Sequence, residues 1–434
     1  MKTDLSPVRG CRDFLPEEKI RRDWIVSALR RVFERYGFNP LETPALENME
    51  LLSSKYAGGA EILKETYQLE DQGGRKLGLR YDLTVPLCRV VAANSRMAMP
   101  FKRYQIAAVW RDGPIKAGRY REFVQCDVDT IGVAGMQADA EFAAITLDAF
   151  KELGLEVEMR VNNRKLLNAL LERRGVPKSK EADVILAIDK IEKVGEKAVL
   201  EELENERGLD AKTAAAVLKE FKELDALDNE KLLKRADGLE GAAELKEFLD
   251  YAMQMGVPSS FTRLQASLAR GLNYYTGTVF EVFLKSGEIK SSLAAGGRYD
   301  DLVGSFAGKG KIPAVGISFG LDVIGEALKG GQKKSVVQVL VAPIGAFEAA
   351  LGVAKGLREA GANALIDLNG RSPTKNIEWA AKQGIPFVAF VGEAEAKAGK
   401  VKLKDLASGK EELLPVGEAA ARVEALKPNG FKLL

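Results

Sequence analysis

The sequence predicts an α+β fold, in which a strand-rich domain is interrupted by a helical block and followed by a separate α/β module. Three observations carry this reading. Between about residues 164 and 256, lysine, glutamate, leucine and alanine dominate and aromatic residues nearly vanish, as in helices with solvated charged faces. β-type signal resumes beyond that block, at 261–324, so the block reads as an insertion into one domain. After Gly330-Gly331-Gln332-Lys333-Lys334, apolar runs alternate with amphipathic stretches, the pattern of a largely parallel sheet with crossover helices. The boundaries that follow are 1–163 and 258–330 for the two parts of the first domain, 164–257 for the insertion and 335–434 for the module.

The elements follow in order. Ile20, Trp24, Ile25, Ala28, Leu29, Val32 and Phe33 recur at helical spacing, so 17–36 is an amphipathic helix that follows Pro16 and ends before Gly37. Residues 38–130 are strand-rich and turn-punctuated, with glycine pairs at 58–59 and 73–74. Within them, 104–111 and 119–129 form the arms of an antiparallel hairpin joined by 112–118. Past the insertion come a β-branched, aromatic strand at 278–284, then Gly296-Gly297-Arg298-Tyr299-Asp300, then 313–320. In the module, 336–342 is a buried strand and 349–360 a helix stopped at Gly361. Residues 364–367 form a strand, Ser372-Pro373 opens a helix that Gly384 closes, and 386–391 is again a strand. No glycine-rich phosphate loop occurs there, so the module reads as a binding domain.

Composition narrows the chemistry. The 64 basic and 62 acidic residues leave a net charge of +2, so any nucleic acid must be met by local patches. The chain has no histidine, so no imidazole of its own can act as acid, base, nucleophile or metal ligand. Cys11, Cys88 and Cys126 are far apart, without CxxC spacing, and read as reduced thiols rather than zinc ligands. The opening MKTDLSPVRG has an early acid and no apolar core, unlike a signal peptide, and no apolar run reaches bilayer length. A cytoplasmic location with no membrane partner is expected.

Two constellations carry chemistry. Side chains alternate faces along a strand, so 119–129 places Arg119, Arg121, Phe123, Gln125, Asp127 and Asp129 on one face and Val124, Cys126 and Val128 on the other. The second is a core face. The first sets guanidinium groups suited to phosphate beside an aromatic ring, an amide and carboxylates, and the incoming arm ends on Arg111. The second constellation is Ala269-Arg270-Gly271-Leu272-Asn273-Tyr274-Tyr275-Thr276-Gly277-Thr278-Val279-Phe280-Glu281. A cation, two phenols and two glycines ahead of a strand suit a polar pocket wall better than a plain core strand.

That second stretch resembles the histidine-binding motif of histidyl-tRNA synthetases, and the hairpin resembles motif 2 of the class II aminoacyl-tRNA synthetases. Leu79-Arg80-Tyr81-Asp82-Leu83-Thr84 resembles the strand end that holds the substrate ammonium. The segment 38–44, through Pro44, resembles motif 1 at the family's dimer interface, and 8–16 resembles the N-terminal signature. The resemblance covers essentially the whole chain. It implies a class II antiparallel-sheet catalytic domain with a helical insertion, and a C-terminal α/β anticodon-binding domain. It further implies Arg111, Arg119 and Phe123 as ATP contacts, with Arg111 and Arg270 catalytic. Asp82, Thr84, Gln125, Asp129, Arg270, Tyr274 and Tyr275 would bind histidine. The implied reaction forms histidyl-adenylate from histidine and ATP with Mg2+, then esterifies the 3′ end of tRNA(His), in a homodimer.

The chemistry agrees with such a substrate. Asp82 and Gln125 can take an ammonium, Asp129 can accept from one ring N–H, and a phenol, Tyr275 as the resemblance implies, can satisfy the other nitrogen. Buried polar groups of this kind reject ligands that cannot pair with them by about 10⁴-fold. Arg270 brings positive charge to the reacting carboxylate and α-phosphate, and the substrate carboxylate is itself the nucleophile, so no protein base is needed.

Two departures stand out. Gly320-Leu321-Asp322-Val323 puts valine where most class II enzymes carry the motif 3 arginine, so either another arginine meets the γ-phosphate or adenylation is slow or lost. The acid usual two residues after the first motif 2 arginine is Gly113, with Asp112 beside it. Arg298 and Asp300 read equally as a structural ion pair or as site residues, and Gly296 and Gly297 as a close approach or a bulge. Two rival functions share the motifs: a histidine-binding regulatory paralogue, like the synthetase-like subunit of ATP phosphoribosyltransferase, and a tRNA-sensing module without charging activity.

Overall fold

The computed structural model describes residues 3–53, 63–115, 120–269, 274–308, 310–328 and 333–425. The chain divides into two compact units, Met1–Arg12 with Ile25–Leu328 and Asp13–Trp24 with Lys329–Leu434.

The first unit is built on an eight-stranded sheet. Its strands in chain order are β1 (Asn39–Pro40), β2 (Leu46–Asn48), β3 (Gln68–Glu70), β4 (Lys76–Leu79), β5 (Phe101–Trp110), β6 (Glu122–Ile131), β7 (Val157–Asn163), β8 (Thr262–Leu264), β9 (Thr278–Leu284), β10 (Ala294–Arg298) and β11 (Ala314–Gly320). The large sheet runs β1-β5-β6-β11-β10-β9-β7-β8, and β2-β4-β3 form a small separate sheet. From β5 to β7 every pairing is antiparallel, and only the edge pairs β1–β5 and β7–β8 are parallel.

Strand alternation gives the central strands two different faces. One carries Cys126, Val128, Ile317, Phe319, Phe280, Val161 and Met159, all 2% exposed or less. It is covered by Ile25–Phe33 of helix Pro16–Arg35 and by helix Met136–Leu153. Ring contacts show the packing: Phe33 lies 5.5 Å from Phe319, Phe150 5.8 Å from Phe319, and Phe142 6.5 Å from Phe280. Burying one such side chain contributes about 1.5–3 kcal/mol. With the apolar face taken by helices, the opposite face is left for polar side chains.

Among the helices absent from the sequence reading, two are long. Thr84–Ala93 is rich in β-branched residues and reads locally as extended chain, yet the Asp82 carboxylate accepts from the N–H groups of Thr84 and Val85 and starts the helix. Met136–Leu153 ends at Gly154, whose φ of 71° only glycine adopts easily. Between β7 and β8 the chain forms helices Arg164–Arg173, Lys178–Ile188, Ile191–Val194, Glu196–Asn205, Ala211–Asp225, Asn229–Arg235 and Ala242–Gln254. Asn163, Asp210 and Asp228 cap three of them.

The second unit carries β12 (Val339–Ile344), β13 (Ala364–Ile366), β14 (Phe387–Gly392), β15 (Lys400–Asp405) and β16 (Glu411–Pro415), in the order β13-β12-β14-β15-β16. The first three are parallel and the last two antiparallel, so the sheet is mixed where a largely parallel one is expected. Lysines at 400, 402 and 404 of β15, the last opposite Glu411, and Glu411 and Glu412 of β16 give the two strands a charged look that masks them. Ser372 caps helix Pro373–Lys382 as its position predicts.

Candidate active site

The polar face of the sheet is a row of side chains that register brings together. Gln125, Asp127 and Asp129 share that face of β6. Opposite them on β5 stand Ala107, Gln105 and Arg103, and on β11 Gly320, Ser318 and Gly316. The β11 residues are small, which leaves room above the carboxylates. A Cβ on Gly316 would fall 2.0 Å from Asp129 Oδ1, so that position tolerates only glycine without rearrangement.

At the inner end lies Arg103, fully buried. Its Nη2 sits 2.8 Å from Asp129 Oδ2 and donates to Leu83 O at 3.1 Å, while Nε and Nη1 have no hydrogen-bond partner. The other Asp129 oxygen accepts from Tyr299. Burial raises the Asp129 carboxyl above its ordinary value, against the opposing pull of Arg103 and Tyr299. Gln125 Nε2 donates to Ser318 Oγ at 3.1 Å, while Gln125 Oε1 and Asp127 Oδ1 are buried without partners. Native interiors rarely leave so many polar atoms unpaired in one place, and such a cluster suits a polar ligand or ordered water.

The tyrosine pair lies beside this cluster. Tyr274 and Tyr275 have ring centroids 4.7 Å apart, and Tyr274 meets Tyr299 edge-on at 6.0 Å. Tyr275 packs with Leu268 and Val279, its ring against Gly297, where a Cβ would come within 2.8 Å of Tyr275 Cδ1. The glycine pair at 296–297 thus permits close approach and makes no bulge.

At the outer end, Arg111 lies over the rings of Tyr81 at 4.2 Å and Phe123 at 5.0 Å, and donates to Tyr81 O at 3.2 Å. Asp82 is buried, capping Thr84–Ala93, with its carboxyl raised by burial against the N–H groups of Val85 and Thr84. Arg119 and Arg270 lie outside the described residues.

Some expectations change. β6 begins at Glu122, so Arg121 belongs to the connection, where it pairs with Asp112 at 2.9 Å and its N–H donates to Gly10 O. Arg298 is a structural residue: it pairs with buried Asp139 and with Asp300, and donates to Val133 O and Gly135 O. Asp322, next to Val323, accepts from Arg12 at 2.7 Å and from Val124 N at 3.2 Å, tying the N-terminal signature to β6. Arg103 and Tyr299 are site residues that the sequence reading passes over. The signal available for Tyr299 is its place in Gly-Gly-Arg-Tyr-Asp, and no local signal sets Arg103 apart. A hollow lined by Phe221, Lys222, Asp225, Gln265 and Ser267 lies among the insertion helices, apart from this face. No group of three or more Cys, Asp or Glu among the described residues is placed to hold a metal ion, and none of their helices is long and apolar enough to cross a membrane.

Comparison with known proteins bears on this arrangement. Residues 10–324 match the family model "Histidyl-tRNA synthetase", and residues 338–426 the model "Anticodon binding domain". The chain is 42% identical to "Histidine--tRNA ligase 1" of Bacillus cereus, over 99% of this chain and 98% of that protein. It is also 42% identical to "Histidine--tRNA ligase" of Aeropyrum pernix, over 98% of each. The crystal structure of histidyl-tRNA synthetase from Nostoc superposes with a TM-score of 0.86 at 32% identity, covering 98% of this chain and 100% of that one. With two family models in the expected order and relatives matched end to end, the chain belongs to the histidyl-tRNA synthetase family.

Proposed function

We propose that this chain activates histidine with ATP to histidyl-adenylate and transfers the histidyl group to the 3′ end of tRNA(His). The observation that carries the reading is the polar strand face, where Asp129 is linked through Tyr299 to Tyr274 and Tyr275, Gln125 lies farther along the strand, and Arg111 and Phe123 stand at the outer end. In this reading Phe123 stacks on adenine, and Arg111 and Arg119 hold the phosphates. Asp82, Thr84 and Gln125 orient the ammonium, and Asp129 and Tyr275 read the two ring nitrogens. Arg103 and Tyr299 hold the Asp129 carboxylate in place for that contact. Tyr274 buttresses Tyr275.

The substrate carboxylate attacks the α-phosphorus, the bond to the bridging oxygen breaks, and pyrophosphate leaves with the electron pair. Arg111 and Arg270 offset the charge that develops. The chain's contribution is positioning and neutralisation in a water-poor site, which needs no protein imidazole. Mg2+ would enter with the nucleotide, held largely by phosphate oxygens. The described residues offer no preformed cage for it, and no step here runs through it.

The domain boundaries 1–163, 164–257, 258–330 and 335–434, a cytoplasmic location and a homodimer built through the segment near Pro44 belong to the same proposal. In the C-terminal module Arg371 lies 4.8 Å from the Trp379 ring and pairs with Asp367 at 2.6 Å, a cation fixed ahead of a helix N-terminus that suits tRNA phosphate. Relatives that match the whole chain, module included, favour this reading over a regulatory paralogue or a tRNA sensor. Histidine-dependent exchange of pyrophosphate into ATP, run beside tRNA charging, tests it. Exchange without charging would point to a partial activity, and histidine binding without exchange to a regulatory protein.

A further inference from the structure

Asp127 belongs to the polar face, yet none of the roles above uses it. It lies mid-strand between Gln125 and Asp129, opposite Gln105 on β5 and Ser318 on β11. Its side chain is buried, the Ser318 hydroxyl bonds to it, and Oδ1 has no partner. Gln125 Oε1, two residues away on the same face and about 7 Å along the strand, is likewise without a partner. Two unsatisfied acceptor oxygens therefore lie along one strand face, over the room that the small β11 residues leave.

The charges around that space do not balance. Asp127 is faced by Arg103 from β5, by Asp129 on its own strand and by Asp82 from the turn ahead of helix Thr84–Ala93. Cys88 on that helix and Tyr299 after β10 border the same cluster, and burial raises both well above their ordinary values, so they stay neutral. Three carboxyl groups thus share one fully buried guanidinium, with Arg111 acting on Asp82 from the outer end. A buried carboxylate without a full counter-charge is costly, and a proton or a bound cation relieves it.

We propose that Asp127 is a cation acceptor of the amino-acid pocket: protonated in the ligand-free enzyme, it releases its proton to solvent when histidine binds and pairs as a carboxylate with the ligand's ammonium. This rests on the histidine-binding reading above. The O–H bond of Asp127 breaks, the proton goes to buffer, and the ammonium keeps all three of its protons. Burial, with Asp129 and Asp82 adding to it, lifts this carboxyl to about 7 against Arg103 and Ser318, which places the exchange near physiological pH.

The test counts protons. Binding is followed by titration calorimetry in buffers of different ionisation enthalpy, between pH 6 and 8. The ligand is a histidine analogue whose triazole ring does not protonate in that range, so the ring adds nothing. At pH 6 the intact enzyme should release nearly one proton per analogue bound, and its affinity should rise roughly tenfold per pH unit until it levels off above 7. Asp127→Asn should release almost none, with a flat affinity profile. Equal proton counts in the two proteins would overturn the proposal while leaving histidine binding intact. Failure of the intact enzyme to bind histidine itself would overturn the histidine-binding reading, and this proposal with it. If Asp127→Asn does not fold, Ser318→Ala serves: losing the hydroxyl that favours the carboxylate should move the levelling-off point to higher pH, and an unmoved point rejects the idea.

Discussion

Arg298 and Arg103 are both buried arginines on strands of the same sheet, and they are treated in opposite ways. Arg298 uses all three of its nitrogens: Nε and Nη2 on Asp139, Nη1 on Asp300 and Val133 O, and Nη2 again on Gly135 O. Arg103 uses Nη2 alone and leaves Nε and Nη1 without partners, on the sheet face that also carries the unpartnered Gln125 and Asp127 oxygens. A closed network fixes structure, because every desolvated group has been compensated within the chain. An open one is under-compensated until something else arrives. The difference marks the polar strand face as the candidate binding surface we propose, and it separates two arginines that look alike in sequence.

The largest effect should come from breaking the closed network. Arg298→Met strands Asp139 in the interior and should cost about 3–5 kcal/mol in denaturant unfolding. Histidine affinity of the folded fraction should change less than it does in Asp129→Asn. A variant that kept its stability and lost only histidine would reverse the roles assigned to the two arginines.

The open network should show itself in pH dependence. Asp127 has its carboxyl raised in the folded state, so its contribution is fully present below about pH 4 and is lost as pH rises through about 7. Ligand-free protein should lose up to a few kcal/mol across that window, and Asp127→Asn should remove this group's share of the slope. Asp139 is also raised, chiefly by burial, so the variant should flatten the curve only in part. An unchanged curve would mean that Asp127 is ionised throughout.

Specificity comes next. Asp129→Asn removes a charge-assisted acceptor worth about 1.5–3 kcal/mol, so the histidine Kd should rise roughly ten- to hundredfold with the ATP Kd little changed. Equal losses for both ligands would put Asp129 outside the amino-acid pocket. The smallest effect is expected from Ser318→Ala, which removes a hydroxyl hydrogen-bonded to Gln125 and Asp127 at a cost of about 1 kcal/mol, or roughly fivefold in histidine Kd. A hundredfold loss would make Ser318 a direct ligand contact.

Periodicity and capping along the chain are enough to specify the helix that buries Ile25–Phe33, the strand Thr278–Leu284, the parallel core of the C-terminal module and the presence of Phe123, Gln125 and Asp129 on one strand face. Each follows from a local rule, either helical or strand periodicity or a capping residue, and local rules can be read along one line of chain. The missing imidazole was equally plain. Helix Thr84–Ala93 was not legible, because its β-branched residues argue against it and its start depends on Asp82 folding back as a cap. Nor were the roles of Arg103, Tyr299 and Arg298. Arg103 meets Asp129 across 26 residues of chain, Tyr299 meets it across 170, and Arg298 meets Asp139 across 159. Only strand register, set by the whole sheet, decides which of these distant groups share a buried space and which charges within it remain uncompensated.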